Sequence, residues 1–132
     1  MLESILLTVM YFILAIIVVI IGLAIFESIT KKYKDWDEIL QGNHAVALSI
    51  TGKIIGICII LSFSIYHSSH LLDTLIWGII GVILQMAAYI LFELFTRKFS
   101  VEEELHKGNI AVGIISIGVS IGLAFVIGAS IT

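Results

Sequence analysis

The amino-acid sequence predicts an all-α membrane protein with four transmembrane helices, arranged as two tandem helical hairpins of the same topology. The composition is the first reason, because 60% of the residues are hydrophobic and only 13% are charged. A soluble domain of this length cannot bury so much apolar surface, since small domains leave much of their surface in water. The second reason is that the apolar residues form four long runs. The third is an internal repeat at an offset of 66 positions, which predicts the two hairpins.

Each apolar run is about as long as the 20 residues that a helix needs to cross a bilayer. We expect helices, because in hydrocarbon every backbone N–H and C=O group must be bonded within its own segment. The first run does not resemble a signal peptide, since no lysine or arginine precedes it and the run is too long. The predicted spans are residues 5–29, 44–66, 71–95 and 110–131.

The basic residues predict the orientation of the chain. Six of the seven lysines and arginines lie in the first and third loops, and the second loop has none. The positive-inside rule therefore places loops 30–43 and 96–109 in the cytoplasm and both termini outside. The six residues are Lys31, Lys32, Lys34, Arg97, Lys98 and Lys107.

Both predicted cytoplasmic loops contain an acidic stretch with spaced apolar residues, at 35–41 and 101–107. Each stretch is long enough for two helical turns along the membrane surface. Trp36, Ile39 and Leu40 would then reach the headgroup region. A solvated acidic loop is the alternative, and the sequence leaves it open.

The repeat aligns residues 26–60 with 92–126 without a gap and with 12 identical pairs. The matches in the loops cannot result from the shared apolar composition of two spans. Each copy crosses the membrane, forms a cytoplasmic loop and crosses back. We therefore predict two repeats, 1–66 and 67–132, related by an axis along the membrane normal within one membrane unit.

The pattern E-[IL]-x-x-G-N-x-A-V begins at Glu38 and again at Glu104. This doubled pattern resembles the domain-of-unknown-function 350 family of small bacterial inner-membrane proteins, of the YshE and YjfL type. The resemblance covers nearly the whole chain. It implies a multi-pass protein of the bacterial plasma membrane, and it implies no activity, because function cannot be inherited from a fold.

The repeated Gly-Asn pairs, Gly42-Asn43 and Gly108-Asn109, are typical of a helix end followed by a helix start. Glycine accepts the positive φ of a helix end, and an asparagine side chain accepts a hydrogen bond from a free N–H of the next helix. An alternative interpretation is that the two helix N-termini form an anion-attracting cytoplasmic mouth.

Two acidic residues, Glu27 and Glu93, end the first and third spans and complete this candidate mouth with Asn43 and Asn109. Charge pairing with the neighbouring basic clusters is the simpler interpretation. The alternative is a symmetric carboxylate pair on a cation or proton path.

Small residues line one face of the second and fourth spans. Gly52 and Gly56 form a Gly-x-x-x-Gly motif, and Gly118 and Gly122 form its counterpart. Such faces let helix backbones approach closely, within a chain or between chains. Because one bundle needs fewer such faces, we also predict a homo-oligomer. A glycine-lined ion path is the alternative.

Two polar residues lie deep in the predicted spans, Lys53 in the second and Gln85 in the third. An intramembrane charge is costly and by default indicates function. We expect Lys53 to pair with an acid or line a wet cavity, although a lysine can also snorkel. A cation path and Lys53 oppose each other unless Lys53 is neutral or paired.

The sequence predicts neither a catalytic nor a metal site. The outer loop offers only His67, His70 and Asp73, which do not complete a selective metal shell. No nucleophile has an evident base and orienter, so we expect no enzyme and no cofactor. The net charge of −3 predicts no nucleic-acid partner, and the single Cys58 cannot form an intrachain disulfide.

Two functions stay open at this point. The first is a small oligomeric channel or transporter for ions or small solutes, indicated by the polar groups at depth. The alternative is a non-transporting interaction or scaffold protein of the cell envelope that binds a membrane-protein partner.

Overall fold

The computed structural model describes residues 1–29, 35–95 and 100–131. Four of its helices are long and apolar enough to cross a membrane, which confirms the predicted spans. Within the described residues the helices are α1 (Leu2–Ile29), α2 (Asp35–Leu40), α3 (His44–His67), α4 (Leu71–Phe95), α5 (Val101–His106) and α6 (Ile110–Ser130). The basic residues at 31, 32, 34, 97 and 98, on which the orientation depends, lie outside the described residues.

The short helices α2 and α5 end in the same kind of turn. Gly42 has φ +85° and Gly108 has φ +83°. The N–H of Gly42 donates to the carbonyl of Ile39 at 2.9 Å, and the N–H of Asn43 donates to that of Glu38 at 3.0 Å. The turn at 108–109 has the corresponding two bonds. This pair of bonds, with glycine in the left-handed region, confirms the predicted helix stops.

The central helix of the bundle is α3, which packs against α1, α4 and α6. Its approach to α6 is so close that side chains do not fit between the backbones. A Cβ atom added to Gly52 would lie 2.9 Å from the Cα of Ile117, and one added to Gly113 would lie 2.9 Å from the carbonyl oxygen of Ala45. Glycine on both helices is what permits this contact.

Helix α4 fits against α3 through its own glycines. A Cβ atom at Gly78 would lie 2.8 Å from Leu61 Cδ2, and one at Gly81 would overlap Ile60. At the end near residue 67, the hydroxyl of Ser64 donates to the carbonyl of the buried Thr74 at 3.0 Å. This bond closes the short connection between α3 and α4.

Helix α1 is peripheral. Its buried residues, Val18, Gly22 and Phe26, all lie in its second half, where it packs against α3 and α4. Its first half exposes apolar side chains, which in a bilayer face lipid. The corresponding helix of the second hairpin, α4, instead contacts both α3 and α6. The division into repeats 1–66 and 67–132 therefore stays a prediction, since the matching helices have different surroundings.

Candidate functional site

Lys53 lies in the interior of the bundle, as the sequence predicts. Only 1% of its surface is exposed. Its ammonium nitrogen is 5.0 Å from the ring centroid of Phe26 on α1 and 4.7 Å from that of Tyr89 on α4. The face of an aromatic ring attracts a cation, more strongly where water is excluded. The side chain is therefore held between neighbouring helices and does not extend to the lipid.

Hydroxyl groups from three helices meet one helical turn from Lys53. Ser116 on α6 donates to Ser49 on α3 at 3.2 Å, and both side chains are buried. The phenol of Tyr89 interacts with both serines. The sequence analysis did not find this group. Two spacings in the sequence could have indicated it. Ser49 and Lys53, and likewise Gln85 and Tyr89, are four residues apart and therefore share a helix face.

Gln85 is the second deep polar residue, and it faces the contact between α3 and α6. Its Nε2 donates to the carbonyl of Ser120 at 3.5 Å, which is a long bond. Its Oε1 is buried and has no hydrogen-bond partner in the part of the chain that the structure describes. Gln85 thus bonds across helices through one of its two polar atoms.

These residues, contributed by α3, α4 and α6, bring polar side chains into the largely apolar interior of the bundle. Buried hydroxyls, an amide and an ammonium can bind and orient a small polar or charged species, or can specify the packing of the helices. We call this group the intramembrane polar cluster: Ser49, Lys53, Gln85, Tyr89 and Ser116.

The two predicted glycine faces have different surroundings. Gly52 contacts α6, and a Cβ atom on Gly56 would overlap the amide of Gln85. Around Gly118 and Gly122 no described atom lies within 4 Å of where a Cβ would be. For contact within the chain, the prediction is therefore wrong for this second pair, because α6 turns its opposite face to α3. Contact between chains stays a prediction.

Asn43 connects the two predicted cytoplasmic segments. Its Oδ1 accepts a hydrogen bond from the N–H of Val46 at 3.1 Å, which is the predicted N-cap of α3. Its Nδ2 donates to the carbonyl oxygens of Leu105 at 2.9 Å and His106 at 3.1 Å. These carbonyls belong to the last turn of α5, where few helical donors remain, although that of Leu105 also accepts from the N–H of Gly108 at 3.0 Å. One side chain thus satisfies the ends of two helices.

Asn109 does not repeat this arrangement. It occupies the N-cap position of α6 with an extended backbone, but its side chain makes no capping hydrogen bond. The prediction of a side-chain cap is wrong at this position. For Asn109 to join two helices as Asn43 does, the end of α2 would have to pack beside the start of α6. Among the described residues α5 packs against α3, but α2 does not pack against α6 to the same extent.

The two acidic residues of the candidate mouth also differ. Glu93 Oε1 accepts from the backbone N–H of Val101 at 3.0 Å and from the hydroxyl of Ser100 at 3.2 Å. Glu93 therefore caps the start of α5. Glu27 is partly buried at the end of α1. Whether the two carboxylates serve an ion path stays a prediction.

An ionisable contact that the sequence analysis missed joins α2 to α5. The carboxylate of Glu38 contacts Nδ1 of His106, and Glu38 is only 8% exposed. No local pattern indicates this pair, because the two residues lie in different loops. Together with Asn43, it fixes the two loops to each other.

Two cavities of the bundle lie beside α1. One of about 410 Å³ lies between α1 and α3, and one of about 380 Å³ lies between α1 and α4. Both are lined almost entirely by apolar side chains, so acyl chains rather than ions fit them. A smaller polar hollow, about 100 Å³, lies near the connection of α3 to α4 and includes His67 and Asp73.

Within residues 1–29, 35–95 and 100–131, no group of three or more His, Cys, Asp or Glu side chains is placed to hold a metal ion. The polar cluster and the contacts of α2 and Asn43 with α5 remain as candidate functional features of the described residues.

Comparison with known proteins completes this description. Residues 1–131 match the family model described as Domain of Unknown Function (DUF350). The chain belongs to the DUF350 family. It is 39% identical over 121 residues to the UPF0719 transmembrane protein YshE of Bacillus subtilis (strain 168), covering 92% of this chain and 90% of that protein.

A second DUF350 relative is the UPF0719 inner membrane protein YjfL of Escherichia coli (strain K12). It is 30% identical over 112 residues, which cover 85% of this chain and 83% of that protein. No solved structure matches the chain. Family membership and the four apolar helices establish an integral membrane protein. The names of these relatives state a membrane location and no activity.

Proposed function

We propose that this DUF350 protein is a small oligomeric channel or transporter for ions or small solutes in the bacterial plasma membrane. The observation that supports the proposal is the burial of Lys53 within the intramembrane polar cluster. Burying a charge inside a membrane bundle costs free energy, so a residue of this kind indicates function by default. The proposal assigns the chain no enzymatic reaction and no cofactor.

The pore or carrier path would form between copies of the chain. Four helices enclose little space, and the two cavities beside α1 are apolar. The face of α6 that carries Gly118 and Gly122 is exposed, which suits close contact with a second copy. A homo-oligomer is expected by native mass measurement in nanodiscs. A monomer there and in several mild detergents would exclude it.

The transport proposal is tested with purified protein in liposomes and a broad panel of ions and small solutes. We expect flux above that of protein-free vesicles. Lys53→Met should reduce the flux about tenfold or more, which corresponds to about 1.4 kcal/mol. Lys107→Met removes an exposed lysine and is the matched control, with unchanged flux. No flux across the panel, with Lys53→Leu indistinguishable from wild type in cells, would overturn the proposal.

The alternative function is a non-transporting interaction or scaffold protein of the cell envelope. The observation that favours it is that Gly52, Gly56 and Gly113 pack closely within the chain and that the Asn43 side chain has a capping role. This alternative predicts that one membrane protein co-purifies reproducibly and that Gly118→Leu weakens its recovery. If cross-linking returns only contacts between copies of this chain, the alternative fails.

A further inference from the structure

The short helix α2 exposes two of its three apolar side chains and buries an acidic one. Its third apolar residue, Ile39, packs against the core of the bundle, so the prediction that it reaches the headgroup region is wrong. The acidic Glu38 is turned to the bundle and contacts His106, whereas Trp36 is 52% exposed and Leu40 is 86% exposed. Trp36 and Leu40 are four residues apart, so they share the face opposite Glu38. A helix in water normally turns its whole apolar stripe toward the protein, which α2 does only with Ile39.

The equivalent helix α5 has the ordinary arrangement. Its apolar residues Val101 and Leu105 are fully buried against the bundle. Its exposed positions include Glu103 and His106. The two short helices lie at the same end of the bundle, since Asn43 bonds to the last turn of α5. They therefore meet different surroundings at a similar depth.

The position of α2 brings its open face to the edge of the bilayer. Helix α2 ends at Leu40, and the membrane-spanning α3 begins at His44 after the glycine turn. At the same end, α4 exposes Leu94 and Phe95, and α6 exposes Ile110, so apolar surroundings extend to these helix ends. Tryptophan favours the boundary between headgroups and acyl chains, because its ring is apolar and its N–H is polar.

We propose that α2 lies in the interfacial layer of the bilayer with Trp36 and Leu40 inserted among the lipids, whereas the exposed face of α5 lies in water. The partner of this surface is the lipid boundary itself. Burial of one tryptophan and one leucine there stabilises the position of α2 by apolar transfer. The proposal is independent of transport, since it concerns how the loop is held and not what crosses the membrane.

The test uses tryptophan fluorescence of the full chain in bilayers. Trp77→Phe leaves Trp36 as the single tryptophan. The matched control adds Trp36→Phe and Glu103→Trp, which moves the reporter to the exposed side of α5. We expect lipids brominated near the top of the acyl chain to quench Trp36 at least twofold more than the α5 reporter. Aqueous iodide should show the opposite order.

Two results would overturn the proposal. Iodide quenching of Trp36 equal to that of the α5 reporter would place α2 in water. Protection from both iodide and brominated lipid would show that a protein surface, from a second copy or another partner, covers α2.

A second measurement covers the case in which the tryptophan variants do not fold. Leu40→Cys in a Cys58→Ser background carries a spin label, with Glu103→Cys as the control. We expect higher accessibility to oxygen than to a water-soluble nickel complex at position 40, and the reverse at position 103. Equal ratios at the two positions would contradict the insertion of α2.

Discussion

The oxygen and the nitrogen of the Asn43 side-chain amide form hydrogen bonds with different helices. The oxygen caps α3, and the nitrogen satisfies the last carbonyls of α5. Asn109 has the same sequence context, but its side chain makes no capping hydrogen bond. The two identical Gly-Asn pairs therefore form different hydrogen bonds in the two halves of the chain.

We expect Asn43→Ala to lower the stability of the protein by about 1 kcal/mol or more, since loss of an N-cap costs roughly 0.5–2 kcal/mol and two carbonyls of α5 also lose a hydrogen bond. Thermal unfolding in mild detergent measures the effect. Asn109→Ala is the matched control and should cost only about a few tenths of a kcal/mol, because the Asn109 side chain makes no capping hydrogen bond that the variant would lose. Equal losses for the two variants would contradict the capping role described for Asn43.

Gly56 is required because the Gln85 amide occupies the space where a Cβ atom would lie. We expect Gly56→Ala to destabilise the protein by about 1–3 kcal/mol, the usual cost of overpacking. Gly122→Ala, at the open counterpart, should be close to neutral in thermal unfolding of the monomer. Adding Gln85→Ala should recover part of the loss in Gly56→Ala, because it removes the overlapping group. No recovery would show that the strain has another source.

At this scale the sequence indicates which residues are unusual but not what they touch. The depth of Lys53 follows from counting along an apolar run. Its position between Phe26 and Tyr89 depends on how three helices pack, and no local spacing specifies that arrangement. The same holds for Glu38 and His106, which come from separate loops.

At the scale of elements, the end of α4 controls the start of α5 through Glu93. Its carboxylate accepts from the first backbone N–H of α5, where the helix has free donors and favours a negative charge. We expect Glu93→Met to increase the rate of amide hydrogen exchange at Val101 about fivefold or more, equivalent to losing about 1 kcal/mol of local stability. Glu27→Met is the control and should leave exchange in α5 unchanged.

The elements themselves are largely predictable. Apolar length defines α1, α3, α4 and α6, and glycine followed by asparagine defines the ends of α2 and α5. The packing face of each helix is less predictable, as Gly118 and Gly122 show. Periodicity reveals that small residues share a face, but the neighbour that the face meets depends on tertiary packing.

At the scale of the whole molecule, orientation is the property that the charge pattern predicts. We expect both termini to face outward, because the loops at 30–43 and 96–109 carry six of the seven basic residues. A C-terminal alkaline phosphatase fusion should be active, and a C-terminal green fluorescent protein fusion should be dark. The same fusions after residue 69 report the outer loop and should agree. The opposite pattern at both sites would reverse the orientation.

The fold class was predictable because composition and run length determine whether a chain can exist in water. The different packing of the two halves was not predictable from the sequence. Matching sequences form matching local turns, yet α1 lies at the periphery whereas α4 enters the bundle. Helix α4 enters through the contacts of Gly78 and Gly81 with α3 and of Gln85 with α6, and these are properties of the assembled bundle.

The half-attached position of α1 makes this helix the part most sensitive to bilayer thickness. Its 28 residues extend about 42 Å at about 1.5 Å per residue, whereas the 21 residues of α6 extend about 31 Å. The hydrocarbon core is about 30 Å thick. A helix longer than that layer tilts or protrudes. The buried residues of α1 all lie in its second half, so we expect the other half, with open grooves on two sides, to take up the mismatch and to tilt further as the membrane thins.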